Sequence, residues 1–157
     1  MTPSDVLDVL GWLACPGVSA KISGGWGVDA LVGRATRDHR DLDVSVPADR
    51  LSEACTALAD HGFVVTTDWL PVRVELSDST RHVDIHPLNY RADGSAWQAG
   101  LDDTRFEYPP DAWTSGRIDG VSVTCLTVEM QRRFHSGYPP RPVDLHDLAL
   151  LDTLLTR

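Results

Sequence analysis

Residues 23–46 read SGGWGVDALVGRATRDHRDLDVSV, and this stretch decides the fold. Its second half alternates. Leu42, Val44 and Val46 are apolar while Asp41, Asp43 and Ser45 are polar, the period-two pattern of a strand with one dry and one wet face. On such a strand Asp41 and Asp43 point the same way. Two neighbouring carboxylates repel and raise each other's pKa, and a purely structural sheet gains little from that. A divalent cation removes the repulsion; magnesium takes one or two carboxylates, with substrate phosphates and water completing its octahedron. The first half supplies the complementary part. Gly24-Gly25 is a sharp break between a predicted strand, Val18 to Ser23, and a predicted helix, Trp26 to Gly33. Paired glycines let a ligand approach the backbone closely. The free N–H groups and dipole of the following helix start favour phosphate, and Ser23 can add a hydroxyl. Between the halves runs Arg34 to Arg40, a polar loop in which three arginines and a histidine face only Asp38. It is the most basic run in the chain and is placed to neutralise a triphosphate.

Outward from this stretch, elements intermix without a regular βαβ rhythm. Thr2 and Pro3 start a helix whose apolar positions Val6, Leu7, Leu10, Leu13 and Ala14 recur at helical spacing. Asp49 to His61 is a second amphipathic helix ending at Gly62, and Phe63 to Thr67 and Val72 to Leu76 read as strands. Arg81 to His86 is a further strand, ended by Pro87. Val83 and Ile85 face its core side and put Asp84 on the polar side with His82 and His86. If it lies next to the Asp41/Asp43 strand, three carboxylates converge, which permits a two-metal arrangement. Leu88 to Pro110 is weakly patterned and reads as loop with at most one short element. Arg117 to Val123 reads as a hairpin about Asp119-Gly120, and Thr127 to Phe134 as a helix in which Glu129 and Gln131 are cap and surface. A proline-containing linker leads to a last helix, Val143 to Leu155, with Leu145, Leu148, Leu151 and Leu155 on its inner side. The expectation is one α+β domain over residues 1–157: a mixed, twisted sheet flanked by helices in an α/β core (1–125), with short C-terminal helices (126–157).

Composition bounds the partners. The chain has 157 residues, enough for one domain. Nineteen Asp and four Glu oppose thirteen Arg and one Lys, for a net charge of −9. This disfavours nucleic acid and anionic membrane surfaces, both of which call for a basic footprint. No apolar run has membrane-helix length, and MTPSDVLDVLGW lacks the basic start of a secretory leader. Cys15, Cys55 and Cys125 match no zinc spacing and read as core or half-buried thiols of a cytoplasmic protein. The P-loop and dinucleotide fingerprints are absent. Asp102, Asp103 and Asp111 are expected on the acceptor side, where they favour a cationic acceptor.

Ser23-Gly24-Gly25-Trp26 followed by Asp41-Leu42-Asp43 resembles the signature of the DNA-polymerase-β-like nucleotidyltransferases. Within that superfamily, Gly24 to Leu31, Gly33-Arg34, Thr36-Arg37, His39 and Asp41 to Asp43 are similar to the small antibiotic nucleotidyltransferases. These are the lincosamide nucleotidyltransferases and the aminoglycoside 2''-adenylyltransferases. Val83 to Leu88 fits as the third-carboxylate strand, and Cys125 to Gln131 and His135 to Tyr138 are also similar to the short members. The resemblance implies the polymerase-β-like fold and Mg2+-dependent transfer of a nucleoside monophosphate from ATP or another NTP to a hydroxyl of a small molecule, with release of pyrophosphate. It implies that Asp41 and Asp43 bridge two ions, and that Asp84 binds the second and helps deprotonate the acceptor. Ser23, Gly24 and Gly25 would hold phosphates, and Arg37 and Arg40 would stabilise the leaving pyrophosphate. Asp29 is read as an internal anchor of the arginine loop or a substrate contact. His39 is read as orienting the metal ligands, and His86, His135 and Tyr138 as contacts or support. The short chain suggests a homodimer that completes the acceptor site. Two other classes stay open here: modification of a protein or RNA, and a non-catalytic nucleotide-binding domain.

Overall fold

The computed structural model describes residues 1–136 and 138–156. Helix α1 (Pro3–Ala14) begins on a reciprocal cap. The Thr2 hydroxyl accepts from the Asp5 N–H at 3.2 Å, and the Asp5 carboxylate accepts from the Thr2 N–H at 2.7 Å. Such a cap contributes about 1 kcal/mol. There follow β1 (Lys21–Ile22), α2 (Gly24–Val32), β2 (Leu42–Pro47), a 3-10 turn (Ala48–Arg50), α3 (Leu51–Ala59), β3 (Val64–Trp69) and β4 (Arg73–Ser77). After them come β5 (His82–Tyr90), β6 (Ala96–Ala99), β7 (Arg105–Tyr108), β8 (Trp113–Ile118), β9 (Val121–Leu126), α4 (Val128–Phe134) and α5 (Pro142–Leu155). The main sheet runs β3-β4-β5-β2-β1-β9-β8, and β6 and β7 extend from the far end of β5. β2 pairs in parallel with β5, and β1 with β9; the other ladders are antiparallel. The fold is the mixed α+β sheet expected.

One face of the sheet is dry. Leu42, Val44 and Val46 of β2 and Val83 and Ile85 of β5 are buried with Val6, Val9 and Leu13 of α1 and Leu58 of α3. Each such side chain contributes about 1.5–3 kcal/mol. α2 joins the same core through Trp26 and Ala30, against Ile118 and Cys125. Gly116 lets β8 close on α2, because a Cβ there would lie 2.7 Å from the Ala30 carbonyl oxygen. A smaller core of Leu88, Ala96, Tyr108, Ala112, Leu126 and Met130 sits under the β6–β7 arm and α4.

Several expectations are corrected. The strand at Val18 to Ser23 is only two residues long. α2 starts at Gly24, so the glycines form its first turn instead of preceding it. β5 runs on through Pro87 to Tyr90; the β4 ladder stops at Ile85 and the β6 ladder starts at Asn89. Pro87 therefore sits where one side of the strand has no partner to miss its N–H. Leu88 to Pro110 is a three-stranded arm formed by the end of β5 with β6 and β7. Cys15 is exposed, not core. α5 is rotated: Asp144, Asp147 and Leu151 are buried, while Leu145 is 55% and Leu155 52% exposed. Among the described residues no helix is long and apolar enough to cross a membrane.

The α2–β8 contact gives a direct test. Gly116→Ala forces a methyl against main chain and should cost about 1–3 kcal/mol, read as a lower urea midpoint with unchanged slope. An unchanged midpoint would show that the two elements can part at no cost.

Candidate active site

The glycine turn is shaped by what crowds it. Ser23 is the N-cap of α2 in extended conformation, and its side chain caps nothing, so the hydroxyl and the first N–H groups of the helix are open to a ligand. Gly24 has φ +60, and a Cβ there would collide with Asp43 Oδ2. A Cβ on Gly25 would collide with Arg37 Nη2 and His39 Nδ1. The two glycines thus let a carboxylate and a guanidinium close on the helix start from opposite sides. Gln131 locks the turn from α4: its Nε2 donates to the Gly24 carbonyl at 3.2 Å. It is fully buried, not the surface residue its helix position suggests.

The parallel register sets Asp43 directly opposite Asp84 and Ser45 opposite His86. Donor atoms of Asp43, Asp84 and His86 lie within 4.8 Å of one another. Asp84 is 7% exposed and pairs with Arg73, while its Oδ1 is buried with no partner. Burial raises the Asp84 pKa; the Asp43 charge adds to the rise, and His86 and Arg73 oppose it. A carboxyl held this way is suited to receive a proton. An orphaned buried carboxylate oxygen beside a second carboxylate is also what a divalent cation would satisfy, so these residues fit such an ion. Asp41 lies outside this cluster. Arg40 grips its Oδ2 through Nε at 3.0 Å and Nη2 at 2.6 Å, and the Arg40 side chain is 80% exposed.

His86 is held from both sides. Its Nε2 lies 3.3 Å from Asp43 Oδ1, and its Nδ1 lies 3.0 Å from Gln98 Nε2. Burial acts to lower the His86 pKa, but the Asp43 hydrogen bond and the two carboxylate charges carry it above the ordinary value. His82, by contrast, is exposed and outside the cluster.

The arginine loop is tied down from within. Buried Asp29 accepts from the Thr36 N–H at 3.1 Å, from the Thr36 hydroxyl, and from His39 Nε2 at 2.6 Å. Asp29 is therefore the loop's anchor. His39 serves that anchor, its ring tilted against Trp26 with centroids 4.5 Å apart, and has no hydrogen bond to Asp41 or Asp43. Arg37 forks onto Asp147 of α5, through Nε at 3.0 Å and Nη2 at 2.8 Å. Asp147 also faces His135 Nε2 at 3.7 Å, while His135 Nδ1 donates to the Gln131 carbonyl at 2.7 Å. Next to it, buried Asp144 pairs with Arg141, which holds its pKa down to about 2.

Most of these parts line one cleft of about 640 Å³; Asp84, Arg73 and Asp29 lie behind its lining residues. Its lining includes the glycine turn, Arg37, Arg40, Asp43 and His86. Phe106, Phe134, Tyr138 and Val143 line it too, with Asp144 and with Asp147, the latter bound to Arg37. Asp102, Asp103 and Asp111 do not line it, so the acidic character of that side comes from α5. Asp144, Asp147, Gln98 and Arg73 are absent from the sequence expectation, and Gln131 is expected there only at the surface.

A family model described as aminoglycoside-2''-adenylyltransferase matches residues 5–151. A lincosamide resistance protein of Staphylococcus haemolyticus is 33% identical over 134 residues, covering 85% of this chain and 83% of the relative. Among solved structures, the lincosamide antibiotic adenylyltransferase LnuA, lincomycin-bound, superposes with TM-score 0.89 at 30% identity over 98% of both chains. ANT(2'')-Ia in complex with adenylyl-2''-tobramycin superposes with TM-score 0.78 at 21% identity, over 98% of this chain and 88% of that one. This last likeness speaks to the fold alone.

The α5 contacts make stability depend on pH. Hydrogen bonding to Asp147 and to the Gln131 carbonyl raises the His135 pKa above 6.5, against burial. A raised value in the folded state stabilises fully below the unfolded pKa and is lost as pH rises through the folded one. Urea midpoints of the wild type should therefore fall from mildly acidic to alkaline pH, and His135→Asn should flatten that fall. Equal slopes in the two proteins would remove His135 from the account.

Proposed function

Because this chain belongs to the aminoglycoside-2''-adenylyltransferase family, we propose that it transfers AMP from Mg2+-ATP to a hydroxyl of a small cationic antibiotic, with release of pyrophosphate. It is a nucleotidyltransferase. The observation that carries the reading is the register of Asp43 opposite Asp84, with the open start of α2 against Asp43 Oδ2. Asp41, Asp43 and Asp84 would hold the divalent ions, two in number. When bound, such ions offset phosphate charge and make the acceptor hydroxyl easier to ionise.

The chain's own residues do the rest. The N–H groups at Gly24 and Gly25 and the Ser23 hydroxyl bind the β- and γ-phosphates. Arg37, aimed by Asp147, offsets charge on the leaving pyrophosphate. Arg40 is exposed enough to swing from Asp41 onto a phosphate, which frees the Asp41 carboxylate as the nucleotide arrives. Asp84 accepts the acceptor's hydroxyl proton. The acceptor oxygen bonds to the α-phosphorus as the bond from that phosphorus to the pyrophosphate oxygen breaks.

The acceptor wall joins aromatic and aliphatic surface to the two α5 carboxylates. That combination suits an acceptor with both an apolar group and a protonated amine, so lincosamides come first and aminoglycosides second. Lincomycin is the ligand of the 30% identical LnuA structure. The proposal includes a cytoplasmic location, where ATP is supplied, and a homodimer. Val143, which lines the cleft, is 41% exposed and Leu145 of the same helix is 55% exposed, apolar surface that a second copy would cover.

Incubation with Mg2+, each NTP and a panel of lincosamides and aminoglycosides should give an acceptor heavier by one AMP, by mass spectrometry. Asp43→Asn and Asp84→Asn should each reduce turnover to background while binding of the acceptor persists. Full activity in either variant would sink the mechanism. Light scattering at working concentration should return twice the chain mass; a monomer would count against the shared acceptor site.

A further inference from the structure

A buried relay stands behind His86 that the reaction above does not use. The Tyr108 hydroxyl on β7 donates to Gln98 Oε1 on β6 at 2.7 Å. The Gln98 amide nitrogen lies 3.5 Å from the Val72 carbonyl oxygen and 3.0 Å from His86 Nδ1. A carbonyl oxygen can only accept, so the edge of Gln98 that faces Val72 is its NH2. The same NH2 meets His86 Nδ1, which must then be the bare, accepting nitrogen. The proton of the neutral ring is left on Nε2, 3.3 Å from Asp43 Oδ1. Gln98 and Tyr108 are 7% and 4% exposed, set in the inner lining of the cleft.

We propose that Gln98 is a positioning residue: by donating to His86 Nδ1 it makes His86 a hydrogen-bond donor to Asp43, not a cation ligand. This rests on the reading of Asp43 as a carboxylate of the nucleotide site. The histidine has the reach to be a ligand, since its donor atom falls within the 4.8 Å cluster with Asp43 and Asp84. A ligating histidine presents a lone pair to the ion, and here the lone pair is turned to Gln98. The consequence falls on Asp43. Its Oδ1 is held by His86, while its Oδ2 packs against Gly24, in the place a side chain there would fill. One oxygen is fixed by protein and the other is presented to the nucleotide end of the cleft.

The proton can be located directly. In ligand-free protein labelled with 15N at histidine, at an alkaline pH where the ring is neutral, His86 should show a bare Nδ1 and a protonated Nε2. In Gln98→Glu the new carboxylate accepts from the ring, so Nδ1 should gain a proton. With Mg2+, ATP and a turned-over acceptor, that variant should lose about 10- to 100-fold in kcat, the usual effect of removing a partner behind a metal-site ligand, with acceptor KM unchanged. A protonated Nδ1 in the wild type overturns the proposal, and it decides the matter even if Gln98→Glu does not fold. So does a Gln98→Glu protein whose Nδ1 is protonated while kcat stays at the wild-type level, because Gln98 would then be structural only. The spectra need no turnover, so failure of the acceptor assay counts against the proposed reaction and not against Gln98.

Discussion

The parallel pairing of β2 with β5, Asp43 opposite Asp84, is the constraint on which the rest depends. Those strands are held in register by their other face, where Leu42, Val44 and Val46 share a core with Val83 and Ile85. A slip of one residue would turn that apolar set to water and the carboxylates into the core. The hydrophobic layer therefore sets the position of the charges. It forces two acids together at a real electrostatic cost, and the protein answers with cations and donors on every side: Arg73 on Asp84, His86 on Asp43, Arg40 on Asp41. Asp84 Oδ1 is left buried without an answer.

The nucleotide end follows from crowding around that pair. Gly24 has no room for a side chain because Asp43 is there, and Gly25 has none because Arg37 and His39 are there. Arg37 in turn is where it is because α5 supplies Asp147, and the loop that carries it is pinned by Asp29. Breaking one partner of a buried pair costs about 3–5 kcal/mol, which is why such ties hold a loop more firmly than surface ion pairs do.

The half of the site built from local pattern was legible in the sequence. Alternation about Asp41 and Asp43, the apolar flanks of Asp84, the Thr2–Asp5 cap and the Asp119-Gly120 turn each depend on near neighbours. What escaped depends on distant ones. Ala96–Ala99 and Arg105–Tyr108 show no clean alternation, because β6 has both faces largely covered and β7 is mostly exposed. Gln98 therefore had no pattern to announce it. α5 carries a leucine stripe that looks like its inner face. The helix instead turns Asp147 inward to Arg37 and His135, and leaves Leu145 and Leu155 exposed. Charge partners 110 residues apart leave no periodic trace. Gln131 was hidden similarly: its carbonyl partner, Gly24, is 107 residues away.

Asp147 belongs to both ends of the cleft at once, since it forks Arg37 toward the phosphates and faces His135 on the acceptor side. The two halves of the enzyme therefore do not vary independently there. In the proposed reaction, a change at 147 that altered the acceptor contact would also release the Arg37 that it aims. The turn between β6 and β7 carries no such double duty: Asp102 and Asp103 adopt positive φ in the open, away from the cleft. Relatives that diverge in what they modify should keep the acid of α5 and spend their variation on that turn.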